Sequence, residues 1–302
     1  MMNLKTIIGI GAYVAVLIAA SLWVGQQAYG WLPPQATAES MLIDDLFSLF
    51  STIGAFVLLG IAGVVLYTVF TQSVSRFDTS DGPHMEGNIK LEIVWTAIPL
   101  LLVFFLAGYS YQTYQQMAVR GPMDLVHLHH LPGSTPTAYA AEMETEPVEE
   151  VEVYAKQWAW TFRYPDTGVV SSDLHLPVNR RIRLLMTADE VIHGFYVPAF
   201  RLKQDIMPKR VTEFEFTPIR EGTYRLNDSQ FSGTYFAIMK ANVVVESPES
   251  YRQWLASAAA QPAVPAENPA YSEYTNKRLK RFGGWKTVEP ATPPLVNAIS
   301  ES

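Results

Sequence analysis

Three long apolar runs fill the first third of the chain, and an alternating pattern fills its middle. Thr6 to Val24 is a 19-residue apolar run, with Lys5 before it and no charge again until Glu39. Leu46 to Ser75 holds no Asp, Glu, Lys or Arg, and neither does Ile93 to Val119. These runs predict membrane-spanning helices over Thr6–Val24, Leu46–Phe70 and Ile93–Tyr114, because about 20 apolar residues cross the hydrocarbon layer. Pro99, inside the third, is tolerated where neighbouring groups re-satisfy the freed backbone carbonyl. Trp95 lies near one end of that span and Tyr109, Tyr111 and Tyr114 near the other, as an interfacial aromatic belt requires. Two readings of the first run stay open. Ala36-Thr37-Ala38 has the small-residue form of a signal-peptide cleavage site. The long gap between the run and Ala38 favours an uncleaved signal anchor.

Loop charges set the orientation. Gln26–Asp45 carries no Lys or Arg, whereas Thr71–Glu92 carries Arg76 and Lys90. The positive-inside bias places the second loop in the cytoplasm and everything after the third span outside. Residues 120–147 read as a linker, with Pro122, Pro132, Gly133, Pro136 and Pro147 and little periodicity. From Val148 to Glu246 the period becomes two. Trp158, Trp160, Phe162 and Tyr164 alternate with other residues, Phe214 and Phe216 alternate with Glu213 and Glu215, and Val243-Val244-Val245 reads as a buried strand. Turn signals at Pro165-Asp166-Thr167-Gly168 and Glu221-Gly222 separate the strands, and many short strands over about 100 residues predict a β-sandwich. The organisation expected is therefore 1–40, a first apolar helix and outer loop; 41–119, a helix hairpin; 120–147, a linker; 148–246, a sandwich; and 247–302, a partly ordered tail. That tail carries a short helix at Tyr251–Ala260, an Ala/Pro-rich linker at 259–269 and a basic run from Lys277 to Arg281. The fold class is mixed: transmembrane helices followed by an all-β domain.

Composition narrows the chemistry. Charged residues are 17% of the 302-residue chain, against about 25% in soluble proteins. The net charge of −7 and the lack of a long basic stripe argue against nucleic acid as a partner. There is no cysteine, which excludes disulfides, iron–sulfur clusters, thiolate metal sites and a cysteine nucleophile. No phosphate loop, Ser-His-Asp arrangement or catalytic carboxylate pair stands out. His127, His129 and His130 form an H-x-H-H cluster, with no acid or cysteine at standard spacing to complete a metal shell.

Two groups of motifs lie in one order along the chain. Leu91-Glu92-Ile93-Val94-Trp95-Thr96-Ala97-Ile98-Pro99 resembles the membrane hairpin of subunit II of haem–copper terminal oxidases, which reads L-E-I-x-W-T-x-I-P. Gln157-Trp158-Ala159-Trp160 and Val191-Ile192-His193-Gly194-Phe195-Tyr196-Val197-Pro198 resemble the Q-W-x-W strand and the D-V-x-H-x-F-x-V-P stretch of its outer domain. The resemblance covers about residues 40 to 247. It implies a cupredoxin-like sandwich on the periplasmic or lumenal side of a plasma or thylakoid membrane. It also implies oxidase subunits I and III and membrane lipid as partners, with haem and copper in subunit I. In members fed by cytochrome c, an early His and C-x-E-x-C-x-x-x-H-x-x-M hold a dinuclear copper centre, with two soft thiolates bridging the metals. Here the early His corresponds to His193. Counting back from Met239, the remaining positions hold Asp228, Gln230, Ser232 and Phe236. Only His193 and Met239 remain, so the resemblance implies no cofactor in this chain. The same losses mark subunit II of quinol oxidases such as the cytochrome bo type. The membrane part here looks more like the cyanobacterial type, which points to an alternative respiratory terminal oxidase.

The implied activity is that of a non-catalytic subunit of a proton-translocating quinol:oxygen oxidoreductase, with quinol bound mainly by subunit I. The sandwich carries 12 Lys and Arg against 13 Asp and Glu, so it lacks the acidic excess that would steer a basic cytochrome. Two other readings stay open: a soluble carrier that feeds the oxidase without the copper centre, and a metal-free membrane-tethered binding or assembly module. By the same resemblance Glu92 corresponds to the acid at the mouth of a proton channel, while its plain reading is an interfacial flank beside Lys90. Trp158 and Trp160 correspond to an electron-entry strand, and without copper behind them they read as core packing.

Overall fold

The computed structural model describes residues 3–73, 77, 87–117, 148–276 and 287–297. The cluster His127, His129 and His130, the linker 120–147, Arg76 and the run Lys277–Arg281 lie outside the described residues. Two compact units result: residues 1–32 with 43–113, and residues 33–42 with 114–302.

The first unit is helical. α1 (Leu4–Ala28), α2 (Ala38–Gln72) and α3 (Ile89–Gln116) are long and apolar enough to cross a membrane. At 1.5 Å per residue they measure about 37, 52 and 42 Å, each longer than the hydrocarbon core of about 30 Å. Each helix extends past its apolar run, because helical hydrogen bonding continues into polar flanks that can be capped. Asn3 accepts from the Lys5 amide at the start of α1, and Asn88 Oδ1 accepts from the Leu91 amide at 3.2 Å at the start of α3. α2 begins eight residues before Leu46. Thr37 caps it: the Ser40 amide donates to Thr37 Oγ1 at 3.1 Å, and the Thr37 amide donates to Ser40 Oγ at 3.3 Å. This reciprocal pair satisfies two amides with no helical partner.

The second unit is a sandwich. Its ten strands are β1 (Glu149–Lys156), β2 (Ala159–Tyr164), β3 (Val169–Ser171), β4 (Leu174–Pro177), β5 (Ile182–Ala188), β6 (His193–Val197), β7 (Leu202–Ile206), β8 (Thr212–Phe216), β9 (Gly222–Asp228) and β10 (Lys240–Glu246). They form two five-stranded sheets, β3-β2-β1-β5-β8 and β4-β10-β9-β6-β7. Both are mixed: β1 runs parallel to β5, and β10 parallel to β4. Alternation sets the inner faces. In β5, Ile182, Leu184, Met186 and Ala188 point inward; in β2, Trp160, Phe162 and Tyr164 do so.

Alternation fails notably in β8. Glu215 lies between Phe214 and Phe216, where a solvent-facing residue is expected, and it is buried. Arg181 Nε meets its carboxylate at 3.3 Å and Arg183 Nε at 2.9 Å. Arg181 also reaches Glu39 at 2.7 Å. Two guanidinium groups, Arg183 of β5 and Arg181 just before it, thus offset two carboxylates taken out of water.

The described residues of the tail pack on the sandwich. α4 (Pro248–Ala259) starts at Ser247, whose side chain accepts from the Ser250 amide. Trp254 of α4 stacks on the His175 ring, with centroids 3.9 Å apart. Tyr251 donates to Glu149 at 2.9 Å. Past a further short helix, α5 (Pro269–Thr275), a two-residue ladder pairs β11 (Val264–Pro265) with β12 (Leu295–Val296). Asn297 then closes on the edge of β3, accepting from the Val170 amide at 2.7 Å. The stretch 259–269, expected as a linker, contains buried Ala266 and Asn268.

Candidate functional site

One end of the second sheet gathers the residues singled out by spacing. β6 and β9 pair antiparallel with Phe195 opposite Asp228, which brings His193, the first residue of β6, beside the last residue of β9. The chain then loops through Ser229 to Met239 and returns along β10, where Lys240 faces Asn227. The Asp228 amide donates to the Met239 carbonyl at 3.2 Å, closing the loop at its base. His193, Asp228, Ser232 and Met239 are all buried.

Asp228 is the hub. Its Oδ2 lies 2.8 Å from His193 Nδ1 and accepts Ser232 Oγ at 2.6 Å. Its Oδ1 accepts the Gly194 amide at 2.7 Å and the Gln230 amide at 3.0 Å. Burial works against ionisation of this carboxyl. The hydrogen bonds from His193, Ser232, Gly194 and Gln230 outweigh that effect and hold it below the usual aspartate range. His193 Nε2 is buried with no hydrogen-bond partner among the described residues. It sits within an aromatic wall, the Trp160 ring lying edge-on with centroids 6.2 Å apart.

The two tryptophans hold the loop from the other sheet. Trp158 Nε1 donates to the Ser232 carbonyl at 3.2 Å, Gln157 Nε2 donates to the same oxygen at 2.6 Å, and Trp160 Nε1 reaches the Met239 carbonyl at 3.4 Å. Gly233 has φ +119, and a β-carbon there would lie 2.8 Å from the Trp158 ring, so both conformation and space demand glycine. Trp158 and Trp160 are 2% and 3% exposed, which makes them packing residues of this loop. Phe236 pairs edge-on with Phe231 at 5.2 Å. Gln230 Nε2 donates to Asp205 Oδ1 at 2.9 Å.

This donor set does not fit a dinuclear copper centre. Two bridging thiolates are needed and the chain has no cysteine. The position of a second imidazole holds a phenyl ring, and Nδ1 of the one histidine is engaged by Asp228. Among the described residues no group of three or more His, Cys, Asp or Glu could hold a metal ion. Glu92 stands apart from this cluster, in the first turn of α3, with its side chain exposed. The structure thus brings together His193, Asp228, Ser232 and Met239, and it leaves Glu92 in the other unit.

Sequence reasoning missed the buried ion cluster of Glu39, Arg181, Arg183 and Glu215. The one local signal is the capping pair Thr37 and Ser40 around an acid, Glu39, in the first turn of a helix.

Comparison with known proteins places these features. Residues 21–113 match the family described as cytochrome C oxidase subunit II, transmembrane domain, and residues 169–247 match its periplasmic domain. Cytochrome c oxidase subunit 2 of Synechocystis sp. is 34% identical over 271 residues, covering 82% of this chain and 81% of the relative. That of Thermostichus vulcanus is 35% identical over 268 residues, covering 79% and 81%. Alternative cytochrome c oxidase subunit 2 of Bradyrhizobium diazoefficiens is 32% identical over 137 residues, covering 35% and 50%. Among solved structures, the periplasmic domain of subunit II of cytochrome oxidase of Bradyrhizobium japonicum is 28% identical. It covers 35% of this chain and 90% of that one, with a TM-score of 0.34.

Proposed function

The chain belongs to the cytochrome c oxidase subunit II family, and from that premise we propose that its oxidase draws electrons from quinol in the bilayer, with no dinuclear copper relay in this subunit. As an integral membrane protein with its β-domain on the outer side, it contributes a helical membrane anchor and a sandwich cap to a haem–copper oxidase. Oxygen is reduced to water at haem and copper in subunit I, and quinol is bound mainly there. Subunit III and membrane lipid are the other partners.

One observation carries the reading. Where a copper-bearing loop has two thiolates and a second imidazole, this loop has Asp228, Ser232 and Phe236, and Asp228 ties it to His193 by hydrogen bonds. A loop closed this way is a structural element. An electron entering from outside would have no carrier here, whereas a donor dissolved in the membrane needs none.

The test is to purify the oxidase and compare turnover with decylubiquinol or plastoquinol against reduced cytochrome c. Quinol should support rapid oxygen uptake and cytochrome c should not. Rapid oxidation of the cytochrome without quinol would overturn the proposal.

The names of the relatives favour a second reading, in which a soluble carrier feeds subunit I directly. It predicts turnover that falls steeply with ionic strength, since encounter of two charged proteins is screened by salt. Quinol turnover carries no such dependence.

Glu92 is proposed as a proton-entry acid. Acids on membrane helices are costly and are retained where protons or ions move, and its motif matches the family stretch around it.

A further inference from the structure

We propose that α1 is kept in the mature protein as a third membrane span packed on α2, and that Ala36-Thr37-Ala38 is not a processing site. The sequence left open whether the first apolar run is a cleaved signal peptide or an anchor.

The first argument lies in the sandwich. Ala36 and Thr37 are both 0% exposed. The Ala36 amide donates to the Ala199 carbonyl at 3.1 Å, the Ile219 amide to the Ala36 carbonyl at 2.9 Å, and the Ala38 amide to the Thr217 carbonyl at 3.0 Å. Thr37 bridges Pro218 as a strand would, and its hydroxyl reaches the Phe200 carbonyl at 3.3 Å. Arg201 Nη2 donates to the Pro33 carbonyl at 2.6 Å. The would-be cleavage site is thus held in the outer domain by backbone hydrogen bonds on both sides and one isolated β-bridge. Cutting after Ala38 before folding would strip Ala199, Thr217, Ile219 and Phe200 of partners. Buried backbone groups without partners are destabilising. The cut would also leave a new ammonium group on Glu39, whose own carboxylate is bonded to Arg181. A third cation would then stand in a cluster where two Arg now balance two Glu.

The second argument lies between α1 and α2 and is independent of the first. Tyr13 Oη donates to the Gly60 carbonyl at 3.0 Å, and Ser48 Oγ donates to the Gly25 carbonyl at 2.8 Å. Gly63 lies under the Tyr13 ring and Gly25 lies against Thr52, and a β-carbon at either would collide. Leu17, Ser21, Gly25 and Ala28 are the buried face of α1. Small residues that let backbones approach, with polar side chains bridging them, are how membrane helices associate. A leader that is to be removed has no need of such a seam.

The test uses the oxidase purified from membranes. Intact mass and N-terminal sequencing of this subunit should find α1 present, with the mass of a chain that includes Leu4–Ala28. A mature N-terminus at Glu39, or anywhere between Leu4 and Ala38, would overturn the proposal. A second measurement compares Gly25→Leu with Gly9→Leu, whose β-carbon meets open space. Gly25→Leu should lower the yield of assembled oxidase several-fold relative to Gly9→Leu. Equal recovery of the two variants would overturn the packing of α1 on α2 even if α1 were found in the mature chain.

Discussion

His193 Nδ1 lies 2.8 Å from Asp228 Oδ2, although 35 residues separate the two in sequence. The pairing of β6 with β9 makes that approach, and Asp228 then collects three further donors, the Gly194 amide of β6 and, from the loop that follows, the Gln230 amide and Ser232 hydroxyl. A carboxylate with four donors does here what a bound cation does in a metal loop: it fixes several backbone and side-chain groups around one charge. The sign is reversed, so the groups drawn in are donors and not ligands. Removing the charge leaves all four unmatched in a buried site. Asp228→Ala should therefore cost at least about 1.5–3 kcal/mol, the range for a single hydrogen bond to a charged group. Amide hydrogen exchange at Gly194 and Gln230 should speed up accordingly, while Ile182–Ala188 stays protected.

The same carboxyl sets the acid limit of the loop. Its value in the folded protein lies below the ordinary 3.8. A depressed carboxyl contributes its full stabilisation above the unfolded value and loses it as pH falls through the folded one. The window thus lies below 3.8. Loop protection should stay level from neutral pH down to the unfolded value and fall only beneath it. Asp228→Asn should abolish that acid-dependent step, and a midpoint near neutral pH in the unaltered protein would contradict it.

What could be read from the sequence is what depends on neighbours along the chain. The charge-free runs and the Glu92–Pro99 motif locate the spans. The alternation from Trp158 to Tyr164 locates a strand. The count back from Met239 finds the loop positions. Residues whose role depends on partners far along the chain were not legible. Asp228 reads as one replaced ligand, and its hub role exists only through the β6–β9 register. Glu215 reads as solvent-facing by alternation, and Arg183 on the adjacent strand with Arg181 just before it reverses that. Residues 33–42 show no period, yet Ala36 and Thr37 are core residues of the sandwich. The Ala/Pro-rich composition of 259–269 reads as a linker, and Asn268 instead caps α5, accepting from the Tyr271 amide at 3.2 Å.

Arg181 holds Glu39 and Glu215 at once through different nitrogens of its guanidinium group. Arg181→Met should cost about 3–5 kcal/mol, because two buried carboxylates lose their shared cation. Arg181→Lys should fall between, since a point charge cannot reproduce the fork that serves both acids. Thermal inactivation of the purified oxidase should follow the order unaltered, Arg181→Lys, Arg181→Met.

Tyr251 fastens α4 to β1. Its hydroxyl is buried and donates to Glu149, which also meets Arg180 at 3.1 Å. Burial and the nearby Tyr164 and Glu149 push its ionisation far above the usual tyrosine range, so it remains a neutral donor throughout the working pH range. Tyr251→Phe removes one hydrogen bond to a charged acceptor while keeping the ring, and should cost about 1.5–3 kcal/mol. Faster exchange confined to Pro248–Ala259 would be the signature.

Glu92 is the one acid in the first turn of α3, four residues after the Asn88 cap. Free amides at a helix start favour an anion there. An exposed acid that heads an apolar helix is placed to collect protons for a partner, or else to do nothing beyond flanking the membrane. The two roles separate under load. Glu92→Gln keeps the size and the hydrogen-bonding capacity and removes only the titratable proton. If protons enter here, oxygen uptake should fall on the order of tenfold, a barrier increase of about 1.4 kcal/mol. Glu92→Asp should recover part of it, and the deficit should grow at high pH, where protons are scarce. If Glu92 is only a flank, Glu92→Gln, Glu92→Asp and the unaltered oxidase should turn over alike at every pH.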